Sequence, residues 1–104
     1  MNETMEFETT QQPDDLRELE ELLFRIVKRM THRMFTTPRL TQLDVGHAIT
    51  LAARVGDFPK AMLVRKALPE LLRELGKKRP DLHRYILLLE DAARELHEQN
   101  RGAE

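Results

Sequence analysis

The sequence predicts an all-α fold, a small bundle of four main helices. Three observations predict it. In four separate stretches the apolar residues recur at spacings of three and four, the period of a helix buried along one side. No stretch alternates apolar and polar residues as a half-buried strand does. Between the stretches stand Pro38, Gly56, Pro59, Gly76 and Pro80, residues that end helices or restart them. At 104 residues the chain is one domain by size. It divides into an acidic arm over 1–12, a helical domain over 13–100 and a tail over 101–104.

After Met1, the arm has only Met5 and Phe7 as large apolar residues. That is too little surface to offset the entropy of ordering it, so the arm is expected to be disordered. The first helix is expected from Pro13 to Phe35. Proline suits a first helical position, and Asp14, Asp15 and Glu18 place negative charge at the positive end of the helix dipole. Leu16, Leu19, Leu23, Ile26 and Met30 form an a/d seam. Leu22, Phe24, Val27, Met34 and Phe35 widen that stripe enough to require more than one packing partner.

Pro38 biases Thr37 away from helix. The second helix is therefore expected to begin at Thr41, with Asp44 completing a capping box and Leu40 and Val45 forming a hydrophobic staple. Its inner face is Val45, Ala48, Ile49, Ala52 and Val55, and Gly56 is placed as the left-handed residue that closes it. The third helix is expected over Pro59–Leu75, on a face of Val64, Ala67, Leu68, Leu71, Leu72 and Leu75. Pro69 falls within it and should kink it or split it in two, because proline removes one helical hydrogen bond and clashes with the preceding turn. The fourth helix is expected from Pro80 to Gln99. Its face is Leu82, Tyr85, Ile86, Leu89, Ala92, Ala93 and Leu96, with Leu87 and Leu88 beside it.

A net charge of −1 hides an uneven layout. Residues 1–24 carry eight acids and one base, and residues 25–39 carry five bases and no acid. Residues 40–79 carry eight bases and four acids, while residues 80–104 carry three bases and six acids. A basic middle is thus bracketed by acidic ends. Such a layout serves either a nucleic-acid face or the attraction of one part of the chain, or of a second copy, for another. The acidic front of the first helix is expected to lie against basic residues.

Reactive chemistry finds no foothold. With neither Cys nor Ser in the chain, disulfides, thiolate and serine nucleophiles and zinc–thiolate sites are excluded. The four glycines are isolated, which excludes a phosphate cradle. His32, His47, His83 and His97 form no His-x-x-x-His pair. Asp44 and His47 share a helix face, but two ligands make no structural site. Glu18, Glu20 and Glu21 read as a solvated acidic face. No enzyme, metal or cofactor is expected. No apolar run is long enough for a membrane span, and the first residues lack the pattern of a secretory signal, so the expected setting is the cytoplasm.

Two local resemblances concern the middle of the chain. Ala52 and Gly56 with Leu51, Val55 and Met62 resemble the core of a helix-turn-helix, although Asp57, Arg65 and Pro69 depart from it. Gly56-Asp57-Phe58 with Ala61 and Leu68 is similar to a single tetratricopeptide hairpin, without a second copy at that repeat's period. The expected function is a non-enzymatic protein-interaction module, an adaptor or regulatory subunit, that forms a homodimer through helices one and four. Its partner-binding residues would be Leu16, Leu19, Leu22, Leu23, Ile26, Met30, Leu87 and Leu88. The alternative is a nucleic-acid-binding regulator using a degenerate helix-turn-helix around Ala52, Gly56 and Met62, with Arg25, Lys28, Arg29, Arg33, Lys77, Lys78 and Arg79 as the contacting residues.

Overall fold

A computed structural model describes the backbone of residues 3–32 and 38–102, and the side chains of 14–32 and 39–102. Four helices account for most of it: α1 over Glu3–Thr31, α2 over Pro38–Arg54, α3 over Ala61–Glu74 and α4 over His83–Gly102. No strand occurs among the described residues. The core follows the spacing in the sequence. Leu19, Leu22, Leu23, Ile26, Val27 and Met30 of α1 are buried, as are Val45, Ala48, Leu51 and Ala52 of α2. Val64, Ala67, Leu68 and Leu71 come from α3, and Tyr85, Leu89, Ala92, Ala93 and Leu96 from α4.

Each helix packs on its neighbours in a ring. α1 lies against α4 and α2, α2 against α3, and α3 against α4, whereas the two diagonal pairs do not bring Cα atoms within 8 Å. Side-chain pairs give the directions. Asp15 meets Arg54 while Arg29 meets Asp44, so α1 and α2 are antiparallel. Asn100 reaches the Leu16 carbonyl and His97 meets the Phe24 ring, so α4 also runs against α1. Lys60 meets Glu95 at one end of α3 and Glu74 meets Asp81 at the other. The topology is up-down-up-down. One end of the bundle therefore holds the C-termini of α1 and α3 with the N-termini of α2 and α4.

The helix boundaries depart from the sequence reading in four places. α1 begins at Glu3, ten residues before Pro13, and runs through that proline. Glu, Met and Gln in this stretch are good helix formers, and one lost hydrogen bond does not stop them. It ends at Thr31, so the expected continuation through Phe35 lies outside the described residues. α2 starts at Pro38, using proline's fixed φ at the first turn, and Thr41 is inside it. The capping box and staple are accordingly not formed. Thr41 is fully buried with its hydroxyl unpartnered, Leu40 is exposed, and Asp44 turns to α1. α3 starts at Ala61 rather than Pro59, and α4 runs from His83 to Gly102 rather than from Pro80 to Gln99. Pro69 does not split α3, which continues on both sides of it.

The α2–α3 connection is held by an arginine rather than by a glycine. No described glycine has a positive φ, and the left-handed residue is Lys60 at φ 61°. The end of α2 leaves carbonyls with no helical N–H to accept from. Val55 N–H takes the Leu51 carbonyl. Arg65, one turn into α3, takes the next ones: its Nε donates to the Ala52 carbonyl at 2.7 Å, and its Nη2 to Val55 at 2.9 Å and Gly56 at 2.8 Å. The guanidinium also stands 5.2 Å from the centroid of the buried Phe58 ring. A positive charge thus caps the negative end of α2 and fixes the hairpin angle.

Arg65→Lys should lower stability by about 1–2 kcal/mol, because a single ammonium cannot serve three carbonyls held by a planar fork. In a domain of this size that is a fall of roughly 4–16 °C in melting temperature. An unchanged midpoint in thermal and urea unfolding would show that the cap contributes nothing.

Candidate functional site

The split charge of α1 is answered within the chain. Toward its start, Asp15 holds Arg54 with two hydrogen bonds of 3.1 and 3.4 Å, and Glu18 meets His47 Nε2 at 3.0 Å. Toward its end, Arg29 and Arg25 converge on Asp44 at 3.1 and 3.6 Å. On the opposite side, Glu20 receives His97 at 2.7 Å and Asn100 at 2.8 Å from α4. Of the acidic front of α1, Asp15 meets a basic residue, Arg54 of α2, while Glu18 and Glu20 meet the imidazoles of His47 in α2 and His97 in α4. Asp44 and His47 share a face of α2 yet face different residues of α1, so they do not converge on a common point.

The alternating helix directions gather charge at the ends of the bundle. One end collects Lys28 and Arg29 of α1, Arg39 of α2, Arg73 of α3, the connector residues Lys77, Lys78 and Arg79, and Arg84 of α4. Glu74, nearly buried at the end of α3, ties that connector down. Its carboxylate accepts the Asp81 N–H at 2.7 Å and the Lys77 ammonium at 3.0 Å. The Asp81 N–H, and after it Lys77, hold the Glu74 carboxyl below its ordinary range. Arg84 lies over the ring of Tyr85, 5.1 Å from its centroid.

The residues expected to bind a partner fall into two groups. Leu19, Leu22, Leu23, Ile26 and Met30 are buried within the single chain, and Leu16 packs half-buried against the same core. Leu22 was expected to bind a partner; α2 and α4 enclose α1 on two sides, and Leu22 is buried within the chain. Leu87 remains 52% exposed and Leu88 half-buried. Of the basic set, Arg25 and Arg29 turn to Asp44 and Lys77 to Glu74, while Lys28, Lys78 and Arg79 are exposed at the basic end. Arg33 lies outside the described residues. In the segment resembling a helix-turn-helix, Ala52 is buried between helices but Met62 is 85% exposed.

Met62 belongs to a surface that the sequence reading did not single out. An open cleft at the α2–α3 turn is lined by Asp57, Phe58, Pro59, Lys60, Met62 and Leu63 among others, and Leu63 is 51% exposed. The available signal was phase: Met62 and Leu63 fall outside the period set by Val64, Ala67, Leu68 and Leu71. For Arg39, Arg73 and Arg84 the signal was their position at helix termini that an antiparallel bundle brings together.

Among the described residues no three His, Asp or Glu side chains are grouped to hold a metal ion. No described helix is long and apolar enough to cross a membrane. The chain matches no family model, no curated protein and no solved structure.

The Glu74 tie has a pH signature. Its folded-state pKa is lowered, so its stabilisation is complete above the unfolded value of about 4.3 and is lost as pH falls through that value toward the lower folded one. Wild type should exceed Glu74→Gln in stability by a constant amount above about pH 5, and the gap should close below about pH 4. Urea unfolding across that range measures it; a gap that does not narrow would contradict the tie.

Proposed function

We propose that the chain is a small, non-enzymatic, cytoplasmic protein-interaction module of the adaptor or regulatory kind, and that it self-associates. One observation carries this reading: large apolar side chains stay outside a core that is already complete, and two of them, Met62 and Leu63, stand together on the rim of one cleft. Adjacent exposed apolar residues beside a cleft are a common mark of a protein-binding surface. Phe58 and Pro59 continue the apolar lining inward.

The charges beside the cleft favour a second copy as the occupant. Asp57 and Lys66, both exposed, flank Met62 and Leu63 with opposite sign. A twofold axis through the patch would set Asp57 of each copy near Lys66 of the other while the apolar side chains cover one another. This reading puts self-association at the start of α3 rather than on α1 and α4, where Leu19, Leu22, Leu23, Ile26 and Met30 are buried within the chain and, among the described residues, Phe24 and Leu87 are the large apolar side chains left exposed.

Sedimentation equilibrium at micromolar concentration should give a species of twice the 12.2 kDa chain mass. The double variant Met62→Glu, Leu63→Glu should remain helical, melt within a few degrees of wild type and sediment as a monomer. Wild type sedimenting only as a monomer would refute self-association, and a variant that still dimerises would refute the surface.

A further inference from the structure

Four stretches far apart in the sequence deliver their bases to one end of the bundle, and the same topology sends most of the acids to the other. At the basic end Lys28, Arg39, Arg73, Lys78 and Arg79 are exposed, and none meets a carboxylate at ion-pair distance among the described residues. Two of the acids nearby are already engaged: Asp44 by Arg25 and Arg29, Glu74 by Lys77 and the Asp81 N–H. The remaining two, Glu70 and Asp81, meet none of these five cations at ion-pair distance. Five cations thus face solvent at this end of the bundle.

We propose that this end binds the phosphate backbone of double-stranded nucleic acid without reading its sequence. A duplex carries one negative charge per about 1.7 Å of axis, so cations brought together from three helices and a connector meet several phosphates at once. The Glu74 tie holds the Lys77–Arg79 connector in place, which reduces the ordering cost of binding. Tyr85 is the one aromatic residue described at this end, and it is buried with its hydroxyl on Arg84. Among the described residues no exposed Phe, Tyr or Trp stands at this end to stack unpaired bases. The acidic opposite end is repelled by phosphate, so the bundle stands end-on to its ligand. The surface is separate from Met62 and Leu63, at the other end of α3.

The test is fluorescence anisotropy of the full chain with a labelled 20-base-pair duplex between 50 and 200 mM KCl. If about five phosphates are neutralised, the log–log slope is about −4.5 and affinity falls several-hundred-fold across that range. Lys78→Glu with Arg79→Glu, both exposed, should weaken binding at least about tenfold and reduce the slope by about 2. Met62→Glu with Leu63→Glu should bind the duplex as wild type does, so loss of self-association and loss of duplex binding are read separately. No binding at 50 mM KCl, a slope near zero, or wild-type affinity in the Lys78, Arg79 variant would overturn the proposal. Preference for a single strand of equal length, or displacement of the duplex by polyglutamate at equal charge, would overturn it in favour of another ligand.

Discussion

The side chains of Leu19, Leu22, Leu23, Ile26, Val27 and Met30 cover about 140° of the circumference of α1 at 100° per residue. One neighbouring helix can cover a two-position seam but not an arc of that width. Two neighbours are therefore required, and α2 and α4 take the two sides. Burying such side chains is worth roughly 1.5–3 kcal/mol each, far more than any surface pair in the molecule contributes. α3 never approaches α1; it closes the ring by packing on α2 and, more thinly, on α4.

Covering an arc does not decide direction, and charge does that here. With α2 antiparallel, Asp15 and Glu18 meet Arg54 and His47, and Arg29 meets Asp44. Reversing α2 would set acid beside acid at one end and base beside base at the other. Each exposed pair contributes only about 0.2–1 kcal/mol, so the gain lies in rejecting the wrong arrangement more than in stabilising the right one. The same alternation leaves one end of the bundle rich in unpaired bases. A feature that selects the fold thus also produces the surface we propose for duplex binding.

The number of helices, their faces and the need to cover α1 on two sides were all legible in the sequence, because a helical period records which residues must leave water. The charge split was legible too, though not whether the answering charges belonged to the chain itself. The boundaries were less so. Pro13 reads as a start and lies inside a helix; Thr41 reads as a cap and is buried with its hydroxyl unpartnered. Capping signals act over a single turn and yield when packing asks for a longer helix. Arg65 was read as a departure from a motif, whereas its guanidinium ends α2 from the next helix, a contact that no local pattern contains. The exposure of Met62 was hidden for the same reason: an apolar residue one step out of phase cannot be assigned inside or outside until the neighbours are placed.

Native-state hydrogen exchange tests most directly whether α1 is the helix on which the others depend. Amides from Leu23 to Met30 should exchange only through global unfolding, with the largest protection in the chain, already at concentrations too low for self-association. Amides of α3 should exchange earlier, through partial opening of the side of the ring away from α1. If the α1 amides exchange before those of α3, or are protected only at concentrations where the chain self-associates, α1 is not enclosed within the single chain and the core described here is not the one that holds the protein together.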